Sequence, residues 1–233
     1  MGIYERYLKR ILDIVCAILA MGVFCWLYGI IALLVRINLG APVIFTQPRP
    51  GKKDENGREK IFKLYKFRTM TDERDEDGKL LPDKARLTAF GKKLRDTSLD
   101  ELPETWNILR GDMSLIGPRP QLVRDMVFMT QEQRRRHDVR PGLSGLAQIN
   151  GRNCIEWDDK LAYDIRYIKR ISFSEDLRIA LKTAVKVFRT EDISYGGMAT
   201  AEDLGDYLLR SGRIDKDVYE ERQHEAKELL KSI

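Results

Sequence analysis

The stretch DTSLDELPETWNILRGDMSLIGPRP runs from Asp96 to Pro120 and sets two adjacent acids, a proline, a Gly-Asp step and a proline-flanked arginine in one segment. Helix chemistry explains part of it. Ser98-x-x-Glu101 matches a capping box, and acids stabilise the first turn of a helix. Pro103 discriminates between two registers. With Ser98 as N-cap, Pro103 falls at the fifth helical position and removes a ladder hydrogen bond. With Asp100 as N-cap, it lies in the first turn, where backbone N–H groups have no intrahelical partner. The local physics therefore puts Asp100 at the mouth of a helix that includes Trp106 to Arg110 and stops at Gly111-Asp112. Such a mouth attracts phosphate. From this stretch alone two readings of Asp100 and Glu101 stand, capping and catalysis. Arg119 sits between Pro118 and Pro120, which stiffen the backbone that presents it. That suits bidentate phosphate recognition, and it equally suits a surface turn with an ordinary ion pair.

Working outward, Val43 to Thr46 reads as a short strand ended by prolines, and Ile61 to Met70 as a second. KKDENGREK between them is a turn with Asn56-Gly57 at its tip, so the pair is a hairpin. TDERDEDGKLLPDKAR is a polar loop, and Leu87 to Arg95 is helix-like. On the other side, RRRH, Arg134 to His137, reads as a solvated helix face, or near a bilayer as a contact for anionic headgroups. RPGLSGLAQINGR carries Gly142, Gly145 and Gly151, whose backbone N–H groups could cradle a nucleotide or sugar phosphate. It is neither a Walker nor a dinucleotide fingerprint. Two further segments have helical periodicity, and Leu177, Ala180, Leu181, Ala184 and Val185 share one face of the second.

Ile11 to Val35 is apolar except for Asp13. The uncharged part, Ile14 to Val35, spans about 33 Å as helix, enough to cross a hydrocarbon core. It exceeds a signal-peptide core and no A-x-A-like site follows. Arg6, Lys9 and Arg10 precede it, and Arg36, Arg49, Lys52 and Lys53 follow. Positive charge on both flanks favours both ends in the cytoplasm, which a helix that enters, bends and returns would supply. Gly22 and Gly29 are the break points the sequence offers, so the bend is expected there.

The 233 residues are 43% hydrophobic and 33% charged, with net charge +5. That composition supports one core with an appendage, and the expected segments are 1–38 in the membrane, 39–193 catalytic and 194–233 a helical tail. The mild basic excess fits phosphorylated substrates or an anionic membrane face, and it is too balanced to argue for nucleic acid. Cys16 and Cys25 lie in the apolar run and Cys154 stands alone. With no CxxC pair and with His137 far from His224, zinc sites and disulfide scaffolds are disfavoured and a reducing compartment fits. The expected fold class is α+β, mostly helical with a small β-hairpin, a re-entrant membrane helix and interfacial amphipathic helices.

In chain order, the apolar N-terminus, VIFTQPRPG, FKLYKFRTM, the DELP and GPRP blocks and RPGLSGLAQINGR resemble the monotopic bacterial phosphoglycosyl transferases over roughly residues 3 to 190. The short length is similar to the small members that open glycoconjugate pathways, relatives of the protein-glycosylation enzyme acting on UDP-di-N-acetylbacillosamine. The resemblance implies a membrane enzyme of the bacterial inner membrane with its catalytic domain on the cytoplasmic face. It implies transfer of a phosphosugar from a UDP-sugar to polyprenyl phosphate with release of UMP. Asp100 would be the nucleophile and Glu101 its assistant, both also ligands of Mg²⁺. Lys66, Arg95 and Arg119 would contact phosphate, and Gln148, Arg152 and Asp164 the nucleotide or sugar. Taken as structure, Asp164 would instead pair with Arg166 or Lys160. One departure stands out: Cys25-Trp26 occupies the place where the family's membrane helix usually bends at Ser-Pro. The rival reading is a membrane-anchored adaptor without turnover. The sugar, the prenyl chain length and the oligomeric state, a homo-oligomer included, are left open.

Overall fold

The computed structural model describes residues 2–151, 155–189 and 202–231. Its frame is a β-hairpin with a long helix laid across it. β1 (Ile44–Lys53) and β2 (Glu59–Phe67) pair antiparallel. At the tip, Asp54 Oδ1 accepts from the N–H groups of Asn56 and Arg58, and Gly57 takes a φ of +75°, as a tight turn requires. β1 is longer than expected, because it runs through Pro48 and Pro50 instead of ending at Thr46. The two prolines lie two residues apart, opposite Lys63 and Ile61. They share the ladder phase in which backbone nitrogens point away from β2, so their missing N–H groups break no pairing.

α1 (Lys9–Leu39) is helical throughout, and its turns run unbroken through Gly22 and Gly29, where the bend is expected. Glycine weakens a helix by about 1 kcal/mol but keeps its N–H in the ladder. Asp13, Ala17, Ile31 and Val35 are its buried positions, a stripe along one side. Ala17 packs with Phe62, Leu64, Ile108 and Met113, while Ile31 and Val35 pack with Phe67 and Leu94. Both ends of the helix therefore rest on the same domain. Arg10 donates to the carbonyls of Ile108 and Leu109 at 2.6 and 3.0 Å, and the lone acid of the run, Asp13, accepts from Leu115 N at 3.0 Å. The opposite surface, including Leu19, Val23, Trp26 and Leu33, is exposed and apolar.

α2 (Ala89–Asp96) is capped by Thr88, whose hydroxyl accepts from Gly91 N at 3.0 Å. α3 (Glu104–Arg110) ends at Gly111, as the sequence suggests. β3 (Ser114–Ile116) pairs in parallel with β4 (Gly142–Ser144). α4 (Val123–Met126) follows the GPRP block, and α5 (Trp157–Lys169) and α6 (Phe173–Arg189) cover the parallel pair. α7 (Leu204–Arg210) and α8 (Lys216–Lys231) close the chain. α6 turns Asp176 and Ile179 inward, and the apolar face that carries Leu177, Leu181 and Val185 is exposed. Arg152, Cys154 and the expected boundary at residues 193 and 194 lie outside the described residues.

Candidate active site

The two acids sit in a turn of their own. Ser98 takes a left-handed φ of +55°, Leu99–Glu101 form a 3₁₀ turn, and Pro103, not Asp100, is the residue ahead of α3. The capping expectation is thereby corrected. Leu99 and Leu102 pack into the cluster of Phe67, Leu94, Ile31 and Val35, and that burial draws the LDEL segment into a tight turn. Tyr28 of α1 donates to Leu102 O at 2.7 Å, which ties the long helix to the turn. The turn leaves Asp100 buried and sends Glu101 toward β2 and the GPRP block.

Glu101 is saturated by cations. Lys66 Nζ donates to its Oε1 at 2.8 Å, and Arg119 grips the carboxylate through both terminal nitrogens. Lys66 also lies 3.1 Å from Glu104 Oε1. That oxygen is near enough to attract by charge, but it accepts no aligned hydrogen bond and is buried. Burial alone would raise the Glu101 carboxyl, and Arg119 and Lys66 outweigh it, holding the acid well below the usual carboxylate range. Glu101 first, and then Glu104 and Asp100, hold Arg119 charged against its burial. Burial opposes the Lys66 ammonium, but Glu101 and Glu104 more than offset it. Asp100 goes the other way. Desolvation and then the charge of Glu101 lift it to about 6, against the pull of Lys66, Arg95 and Arg119. Glu104 is lifted to about 7, first by burial. Adjacent acids are thus driven apart, one locked as an anion and one kept basic, a pattern found where carboxylates do chemistry.

The structure brings Asp100, Glu101, Lys66, Arg95 and Arg119 into one electrostatic neighbourhood. Arg95 Nε donates to Thr69 Oγ1 at 3.0 Å. Gln148 and Asp164 lie elsewhere. Gln148 donates to Leu143 O at 3.4 Å, beside the parallel strands. Asp164 pairs with neither Arg166 nor Lys160 as its closest partner. Arg136 donates to it through Nε at 2.9 Å, and the same guanidinium donates to Arg119 O at 2.6 Å. Asp164 therefore acts through Arg136 on the backbone that carries Arg119. The RRRH run is not a solvated face: Arg136 and His137 are buried, and Arg134 pairs with Glu59 at 2.6 Å. In the Gly-rich block, Gly142 is a packing residue. A Cβ at Gly142 would meet Gly117 N at 2.1 Å. Gly142 N donates to Pro118 O, and Gly117 N donates to Ser144 O. These two N–H groups lock the GPRP block in place.

Among the described residues, no three of His, Cys, Asp and Glu converge as a metal cage. Mg²⁺ needs no cage of that kind, since one or two carboxylates suffice when substrate phosphates complete its shell. Asp100 and Glu104, whose Oε1 has only the Lys66 ammonium at 3.1 Å, suit it. Glu101, with both oxygens engaged by Arg119 and Lys66, suits it less.

A family model described as bacterial sugar transferase matches residues 4–190. The chain belongs to that family. The transferase is 46% identical over 195 residues to a Bacillus subtilis protein named uncharacterized sugar transferase EpsL, covering 84% of this chain and 94% of that one. It is 38% identical over 199 residues to a UDP-glucose:undecaprenyl-phosphate glucose-1-phosphate transferase of Caulobacter vibrioides, covering 79% of this chain and 71% of that one. An undecaprenyl-phosphate galactose phosphotransferase of Salmonella typhimurium is 35% identical over 206 residues, where the transferase spans 42% of the longer protein. The sequence resemblance to phosphoglycosyl transferases holds.

Sequence reasoning missed Glu104, Arg136, Arg49 and Asp125 of this transferase. Glu104 follows Asp100 by four residues, a spacing that could have flagged it. Arg136 and Arg49 look like ordinary surface charge in the sequence, and only their burial reveals them. Arg49 donates to Pro120 O at 3.1 Å.

Proposed function

We propose that this transferase moves a sugar phosphate from a UDP-sugar to undecaprenyl phosphate, releasing UMP, through a phosphosugar ester on Asp100. The observation that carries this reading is that Lys66 and Arg119 converge on Glu101, next to Asp100, whose buried carboxylate feels their charge and that of Arg95. The names of its relatives supply the donor and acceptor classes. An Asp100 oxygen attacks the β-phosphorus of the donor, the bond to the bridging oxygen breaks, and UMP leaves with that oxygen. A phosphate oxygen of the polyprenyl acceptor then attacks the same phosphorus. The bond to Asp100 breaks, the carboxylate is restored and polyprenyl diphosphosugar departs. Splitting one transfer into two suits a carboxylate nucleophile.

An acid raised to about 6 is still largely ionised at neutral pH and is a stronger base than an ordinary aspartate. Arg119 and Lys66 stand ready to take up charge on the transferring phosphoryl, and Glu101 fixes their positions. Mg²⁺, when bound by Asp100 and Glu104 with the donor phosphates, would draw off part of the diphosphate charge. The sugar is not named by any residue of the site, and the relatives include glucose and galactose enzymes.

We also propose that α1 enters the cytoplasmic face of the inner membrane and does not cross it. Its two ends are anchored to one domain, through Arg10 and Asp13 at one end and Ile31 and Val35 at the other. A helix fixed in this way cannot carry one end to the far side. The exposed face of α6 would lie at the lipid surface. A cysteine placed at Ile3, exposed ahead of α1, is the natural probe. An impermeant thiol reagent outside intact cells should leave it unmodified, and strong labelling would mean a true span. The chemistry is tested by incubating the enzyme with a panel of UDP-sugars and weighing it. A phosphosugar adduct is expected on the unaltered enzyme and not on Asp100→Asn. Full turnover by that variant would end the proposal.

A further inference from the structure

α7 and α8 lie beyond the family match, which ends at residue 190, yet they are built into the wall behind Arg119. Leu204 and Tyr207 are buried in one cluster with Met129, Trp157 and Leu161. Trp157 Nε1 donates to Glu202 O at 2.9 Å, and Arg124 pairs with Asp203 at 2.8 Å. At the centre of this junction is Asp125, 2% exposed. Its Oδ2 accepts from Leu122 N at 3.1 Å, and its Oδ1 accepts from Leu204 N at 2.9 Å. One buried carboxylate thus caps both the turn after GPRP and the start of α7, which are 79 residues apart.

The backbone after Gly117 is held at three successive points. Arg136 donates to Arg119 O, Arg49 donates to Pro120 O, and Leu122 N donates to Asp125. The first two are cations on carbonyls and belong to the body of the domain. The third is an anion on an N–H, and it is shared with the C-terminal helices. The buried Arg49 guanidinium feels the charges of both Arg119 and Asp125, so the three restraints are electrically linked.

We propose that Asp125 is a positioning residue that couples α7 to Arg119, so that the C-terminal helices set donor affinity without touching the donor. This rests on the reading of Arg119 as a phosphate contact. The pyrophosphate common to every UDP-sugar makes UDP a suitable probe while the sugar is unidentified. UDP binding is measured by calorimetry with Mg²⁺ on the full-length protein in lipid nanodiscs. Asp125→Ala should weaken UDP about tenfold, and in an Arg119→Ala background the same change should cost less than about twofold, since the coupling passes through Arg119. Gly205→Val reaches the junction from the other side. A Cβ there would come within 2.6 Å of the Phe128 ring, so the variant lifts α7 while leaving Asp125 intact, and it carries the same expectation. Equal weakening in both backgrounds overturns the proposal, and so does unchanged UDP binding in a variant whose melting temperature has fallen. Absent UDP binding by the unaltered protein removes the phosphate role of Arg119 and this coupling with it, a result distinct from binding that ignores Asp125.

Discussion

Two ion clusters meet at Arg119 and are built on opposite rules. Its guanidinium end joins Glu101, Lys66, Glu104 and Asp100, where three acids crowd together. Its carbonyl end is held by Arg136, which is matched one to one with Asp164 at 2.7 Å, both nearly inaccessible to water. In the second cluster burial raises Asp164, and Arg136 is the main opposing charge. In the first, burial and like charge leave Asp100 basic. The difference separates a site from its scaffold. Adjacent acids of unlike basicity in the first cluster are chemical capacity. Matched charge in the second holds a backbone still.

Removing one acid from each cluster should separate them most clearly. Asp100→Asn is expected to lower UMP release by about a thousandfold or more, as loss of a nucleophile does. It should not lower the melting temperature, because the fold already favours the uncharged form. Substantial residual turnover, or a marked loss of stability, would erase the contrast. Asp164→Ala should do the reverse. It leaves Arg136 buried without its partner, and breaking such a pair destabilises by about 3–5 kcal/mol. Chemical denaturation that shows a shift under about 1 kcal/mol would mean that the pair is not scaffold.

Acidity offers the next test. The Asp100 carboxyl moves from 3.8 to about 6 on folding, so between those values the folded state holds a proton that the unfolded state has released. Stability then falls as pH rises through that window, by about 3 kcal/mol at about 1.4 kcal/mol per unit. Activity runs the other way, since the nucleophile must be ionised. Initial rates should rise about tenfold per unit up to pH ~6 and flatten beyond it. Asp100→Asn should remove its share of the stability slope, and an unchanged slope would reassign the titration. The smallest effect concerns the backbone. Ser98 is the non-glycine residue with positive φ among the described residues, at the entrance to the acidic turn. Ser98→Gly should stabilise by about 0.5–1 kcal/mol, read as a small rise in melting temperature. A loss would show that the hydroxyl outweighs the strain.

Much of this was legible before any fold was known. The hairpin, its Asn56-Gly57 tip, the stop at Gly111 and the apolar anchor follow from local chemistry, because turn residues and hydrophobic runs act over a few positions. Asp100, Glu101, Lys66 and Arg119 were found through order along the chain, and they do converge.

What the sequence determined by itself was therefore the inventory of elements and the identity of the reactive segment. Tertiary structure alone decided which charge serves which purpose. The unpaired outer edge of the hairpin, toward which the proline nitrogens point, let β1 run through its prolines, and burial of Leu99 and Leu102 overrode the cap assigned to Asp100. Contact between distant segments turned Arg136 from surface charge into a support for Arg119, and set Gly142 against Gly117. The reason is physical: a charge or a glycine acquires its role from the dielectric and the neighbours that surround it, and both are created by contacts between residues far apart in the chain.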